Sequence, residues 1–151
     1  MIDINNRHDI FAKLRTLKKD DLPIFGKMTA QHMVEHLAFT INFSNGNNPK
    51  PQLVDTEKAA KAKELIIYTD KEILPGFKTP LMGDTPPPLK HSSLEDAIEA
   101  LKKELTDFDK YYFDNKHKRE INPILGELNY DEWLIFHNKH FTHHFRQFNI
   151  L

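Results

Sequence analysis

At 151 residues, with 39% hydrophobic and 28% charged residues, the chain has the length and balance of one globular domain with a real core. Its 21 basic and 22 acidic residues are interspersed and leave a net charge of −1, so no basic stripe offers a footprint for nucleic acid. The absence of cysteine excludes disulfides, thiolate nucleophiles and thiolate metal sites, and makes a reducing cytoplasmic location the expectation. No apolar run approaches the ~18 residues that a spanning helix needs, and the N-terminal segment lacks the apolar core of a signal peptide, so no membrane partner is expected.

In chain order, Ile10, Phe11, Leu14 and Leu17 recur at helical spacing and predict a first helix ending before Pro23. Thr29 is a suitable N-cap for a second helix, whose inward stripe would be His32/Met33, His36, Phe39/Thr40 and Phe43. The breaker-rich run Asn45-Gly46-Asn47-Asn48-Pro49 stops it. A third, weaker helix over residues 55–68 offers mostly alanines as its apolar face. Residues 74–91 hold Pro75, Pro80, Pro86, Pro87 and Pro88 with Gly76 and Gly83, which excludes a regular helix or central strand. So long a loop is either a surface connection or a lid over a site. Ser92 with Glu95 has capping-box spacing for a fourth helix, striped by Leu94, Ile98, Leu101, Leu105, Phe108 and Tyr112. Asn129 with Glu132 opens a fifth, running to about Phe148. No alternation of strand type competes, and the expected architecture is an all-α helix bundle.

The chemistry is carried by nine histidines, four of them between His137 and His144. Trp133, His137, His140, His144 and Gln147 follow steps of four, three, four and three, which keeps them on one face of the last helix. A buried imidazole needs hydrogen-bond partners, so such a face is unusual for plain packing. His140 and His144 can share one metal ion, and a second pair at the same spacing, His32 and His36, lies on the inward stripe of another helix. Bundle cores build metal sites from facing helices in this way. His32-Met33-Val34-Glu35-His36 also fits the H-x-x-E-H pattern of one metallopeptidase class, but that leaves His140 and His144 unexplained.

The segment from Gly26 through Thr29, His32 and His36 to Leu37 resembles the second helix of the DinB/YfiT-like metalloenzyme superfamily. His140-Phe141-Thr142-His143-His144-Phe145-Arg146-Gln147 resembles its last-helix motif, two histidines four apart followed by a glutamine. Pro123-Ile124-Leu125-Gly126-Glu127-Leu128-Asn129 with Trp133 is similar to a branch of unassigned function. The resemblance implies one domain over residues 1–151, a four-helix bundle with an extra short helix and a long Pro-rich loop, often a homodimer. It implies three ligands, falling on His36, His140 and His144, around one Ni²⁺ or Zn²⁺ ion. His32, His137 and His143 lie outside that triad. Some members are thiol-dependent transferases, which makes a low-molecular-weight thiol the implied small-molecule partner.

Three neutral imidazoles without a carboxylate would leave the ion its full charge and an open position, the pattern of a catalytic site. Gln147 is the nearest candidate to hold a free ring nitrogen of His144, with His32, His137 and Trp133 as further candidates to line the site. Glu35 points about 100° away from His36 on helix geometry and is poorly placed as a base. Two classes therefore stand: a metal-dependent transferase or small hydrolase, and a non-catalytic helical module whose histidines are structural or hold a stabilising ion.

Overall fold

The structure, a computed structural model, describes residues 1–76 and 79–151. Two residues of the expected Pro-rich loop, Phe77 and Lys78, therefore lie outside the described residues. The chain is predominantly helical, with α1 (Arg7–Leu14), α2 (Ala30–Ile41), α3 (Thr56–Ile67), α4 (Leu94–Tyr112) and α5 (Tyr130–Gln147). Between α4 and α5 lies a short antiparallel hairpin of β1 (Glu120–Asn122) and β2 (Gly126–Leu128). No helix among the described residues is long and apolar enough to cross a membrane.

Each helix begins where a side-chain oxygen takes up one of the backbone N–H groups that the first turn leaves without a partner. Asn6, Thr29, Asp55, Ser93 and Asn129 accept from the N–H three residues on. At α5 the Glu132 carboxylate returns the bond to the Asn129 N–H, closing a capping box. The start of α4 differs from expectation by one residue. Ser93, not Ser92, is the cap, because Ser93 holds the extended backbone and its hydroxyl faces the Asp96 N–H. Ser92 instead donates to the Asp96 carboxylate. The first helix ends at Leu14, short of the expected Leu17, which reaches the core through a tighter turn bond from its N–H to the Leu14 carbonyl.

The hairpin is the element that the sequence did not announce, so the fold is helical but not purely so. Its strands are three residues long, too short for alternation to show. Its turn is built by side-chain chemistry: the Asn122 Oδ1 accepts from the N–H groups of Ile124 (3.0 Å) and Leu125 (3.1 Å). Gly126 then leaves the turn at φ +76°, a left-handed conformation in which a Cβ would also press on Gln52.

The apolar stripes meet in one core. Leu14, Leu37, Leu101, Leu105, Phe108, Trp133 and Phe145 are all fully buried, and α2 packs along α4 to make its centre. The core also holds the His137 imidazole of α5. The Ser44 hydroxyl donates to the Ile41 carbonyl, so at 2.9 Å it accepts from His137 Nε2. Trp133 stacks on the His137 ring and Phe108 meets it edge-on. Burial pushes the His137 pKa down to about 3, and the charge of Arg7 adds to this.

Truncating Leu105 to Ala should cost about 2–5 kcal/mol of stability. Urea denaturation checks this, and a loss under ~1 kcal/mol would place α4 outside the core. His137 also predicts a pH dependence. The unfolded ring takes a proton near pH 6.5 and the folded ring only near pH 3, so the unfolded chain binds more protons between these values. Stability should fall as pH drops from about 6.5 towards 3. In urea melts at pH 7 and pH 5 with chelator present, His137→Gln should lose less than the wild type on acidification; an equal loss would show that this ring does not contribute.

Candidate metal centre

Three of the histidines come together between α2 and α5. His36, His140 and His144 offer ring nitrogens that all lie within 4.8 Å of one another. The His140 Nε2 is 3.0 Å from His36 Nε2 and 3.1 Å from His144 Nε2. The rings stand edge-on to one another, with centroids 4.7–4.9 Å apart, as planes do when grouped about a common point. His140 and His144 are buried and His36 is partly so, at the floor of a cavity of about 140 Å³.

Local bonds fix which nitrogen of His144 faces inward. The Gln147 Nε2 donates to the Phe25 carbonyl at 2.9 Å, so its Oε1 is the acceptor for the His144 Nδ1–H at 2.7 Å. The proton therefore sits on Nδ1, and the lone pair of Nε2 points at the other two rings. Gly26 makes this closeness possible: it adopts φ +84°, and a Cβ there would lie 2.8 Å from the Gln147 amide nitrogen. The Ile24 N–H also bonds the Gln147 carbonyl, so the chain before α2 wraps the end of α5.

The triad cannot satisfy itself. A ring nitrogen carries either one proton or one lone pair, so His140 Nε2 can complete at most one of its two short contacts. The other nitrogen of His140, Nδ1, is buried with no partner among the described residues. Protonation is no escape. Burial holds His36 down to about 4, with His143 adding repulsion, and pushes His140 and His144 well below the usual range. These are the properties of a donor set for a cation. An ion with imidazole nitrogens at about 2.0–2.1 Å holds neighbouring donors about 3.3 Å apart, close to the two short edges here. The residues present fit a divalent metal.

The remaining expected site residues fall elsewhere. His32 Nδ1 is held 2.7 Å from the Thr29 hydroxyl, completing the cap of α2, and does not join the cluster. The Glu35 carboxylate accepts from the N–H groups of Lys90 (2.8 Å) and His91 (2.9 Å). Burial disfavours its charge, yet those two bonds keep its pKa below the usual carboxylate range. The H-x-x-E-H pattern is thus a cap and a tether rather than a peptidase site. His137 and Trp133 belong to the core beneath the triad. His143 lines the cavity, with its Nδ1 2.9 Å from the Ile73 carbonyl.

Phe136, absent from the sequence-based set, stacks on His140 and forms part of the cavity wall. Other walls come from Phe39 of α2 and Phe43 just after it, Ile66 of α3, Thr79, Leu81 and Met82 of the Pro-rich loop and residues 122–125 of the hairpin turn. Phe136 could have been found as the position four before His140; Asn122 carried only the Asn-Pro turn signal.

Fold and site together define a predominantly helical protein with a buried three-histidine cluster under an apolar cavity. The chain matches, over residues 1–150, the family described as a protein of unknown function (DUF1569), and it belongs to that family. Searches of curated proteins and of solved structures find no match.

Gln147→Leu removes the acceptor that sets the His144 tautomer. It should weaken Zn²⁺ binding about 10–100-fold in competition with a chromophoric chelator. Unchanged affinity would mean that the hydrogen bond does not orient His144.

Proposed function

We propose that this chain is a divalent-metal-dependent enzyme on a four-helix bundle of the DinB/YfiT-like type, acting as a thiol-dependent transferase or, with water in place of the thiol, a small hydrolase. The observation that carries the proposal is the convergence of three neutral imidazoles from α2 and α5 beneath a largely apolar cavity, with ring nitrogens whose short mutual contacts cannot all be completed. His36, His140 and His144 would hold Ni²⁺ or Zn²⁺, and Gln147 keeps His144 in its ligating tautomer. Bound there, such an ion supplies Lewis acidity that lowers the pKa of coordinated water or thiol. The chain supplies the rest. No carboxylate joins the donor set, so the ion's charge is not neutralised by protein. The apolar walls exclude water around the reacting groups and strengthen electrostatic interactions among them.

The test is metal analysis of protein purified without a histidine tag, paired with His140→Ala. The wild type should carry about one equivalent of Ni²⁺ or Zn²⁺. The variant should carry none, yet keep its helical circular dichroism, because the apolar stripes hold the fold. Chelator should lower the wild-type melting midpoint only modestly. A metal-free wild type would overturn the proposal. A large chelator-dependent drop that His140→Ala abolishes would instead favour a structural ion in a non-catalytic module.

A further inference from the structure

The cavity over the triad has a size, a polarity and, apart from the histidines, an unused amide donor, and together these describe a ligand. Taking that cavity as the substrate pocket, which rests on the function proposed above, we infer that it accepts an uncharged carbonyl compound with an apolar body about the size of benzene, its oxygen held by the side-chain amide of Asn122.

Size comes first. About 140 Å³ is close to the volume of a cavity that binds benzene in a well-studied engineered protein, roughly 150 Å³. A phenyl ring or a short branched alkyl group fills such a space, and a sugar or nucleotide does not. Polarity comes second. Phe39, Phe43, Ile66, Ile73, Ile124 and Phe136 dominate the described walls, and no Asp, Glu, Lys or Arg lines them. A charged ligand body would lose its hydration there without a counter-charge from the walls, so the body is neutral.

Orientation rests on Asn122. Asn122 is one of the residues lining the cavity, and it is 4% exposed. An asparagine amide can be turned either way, but here two backbone N–H groups, of Ile124 and Leu125, both point at one of its terminal atoms. Two donors demand the oxygen, so the orientation is settled by chemistry. The NH₂ end is thereby left over, and it makes no hydrogen bond among the described residues. The Asn122 Nδ2 is not one of the sealed-off unpaired nitrogens among the described residues, so this unused donor keeps access to open space and is available to a ligand's acceptor, which a ligand without one would leave unmet. Thr40, the polar neighbour on α2, already donates its hydroxyl to the His36 carbonyl. Asn122 is thus a specificity-determining residue, supplied by the hairpin turn rather than by a helix.

The experiment is a titration of the full-length ¹⁵N-labelled chain, zinc-loaded and zinc-free in parallel, with cyclohexanone and with toluene. These probes match in heavy-atom count, and only the ketone has an acceptor. The Asn122 side-chain NH₂ signals are identified by their loss in Asn122→Asp. That variant still offers oxygen to Ile124 and Leu125 but no longer donates. Expected is binding of both probes, with the Asn122 signals moved by cyclohexanone and not by toluene. Asn122→Asp should weaken cyclohexanone about tenfold, the scale of one lost hydrogen bond, and leave toluene within about threefold. Asn122 signals that stay still at saturating ketone, or exclusion of both probes, would overturn the inference. Should the variant fail to fold, the Asn122 NH₂ signals are identified instead by triple-resonance assignment of the wild type, and their response decides alone. The zinc-free arm separates the two proposals: a chain that takes up no metal yet passes the ketone test loses the enzymatic reading and keeps the pocket.

Discussion

Three largely buried imidazoles with their ring nitrogens turned on one another form the constraint on which the rest depends. Neutral rings at this spacing cannot complete their hydrogen bonds mutually, and burial denies them the proton that would otherwise resolve the conflict. Such a cluster stays together only if the surrounding structure holds each ring in place. The apolar stripes of α2 and α4 supply the frame, and the Gln147–Phe25 pair turns His144 to the required tautomer. The arrangement concentrates an unmet need at one point, which is what a preorganised cation site is.

Helix α5 is where these demands meet. Its Asn138 and Thr142 side chains accept from the N–H groups of Ile4 and Ile2, tying down the N-terminal segment. On another face, Lys139, His143 and Arg146 hold the chain that follows α3. The Lys139 ammonium donates to the carbonyls of Ile66, Thr69 and Lys71 at 2.7–2.8 Å. Burial lowers its pKa while Asp70 and Glu72 pull the other way. His143 bonds Ile73, and Arg146 pairs with Glu72. A helix committed on so many faces cannot rotate to relieve the triad, so the ligand geometry is inherited from the fold.

What was legible in the sequence follows from the range of each signal. Helix caps are local, and Thr29, Asn129 and the stripe of α4 could be read from spacing alone; Ser92 and Ser93 each precede an acid by three residues, and only backbone conformation separates them. The pairing of His140 with His144 is likewise local, whereas the convergence of His36 on that pair is a property of packing. Helical periodicity reports angle around the axis but not which height along it meets a partner. His137 and Trp133 therefore shared a face with the ligands and yet point into the core N-terminal to them. The hairpin escaped because its turn depends on one asparagine's side chain, which periodicity does not register.

The clamp formed by Lys139 makes the two sides of the cavity mechanically unequal. For the wall carrying Ile66 and Ile73 to retreat, an ammonium would have to be stripped of three carbonyls in a poorly solvated setting. The wall supplied by Thr79, Leu81 and Met82 shows only local turn bonds among the described residues, from Leu81 and Met82 back to Thr79. The cavity over the histidines is thus held by a buried ammonium on one side and, among the described residues, by short turn bonds on another.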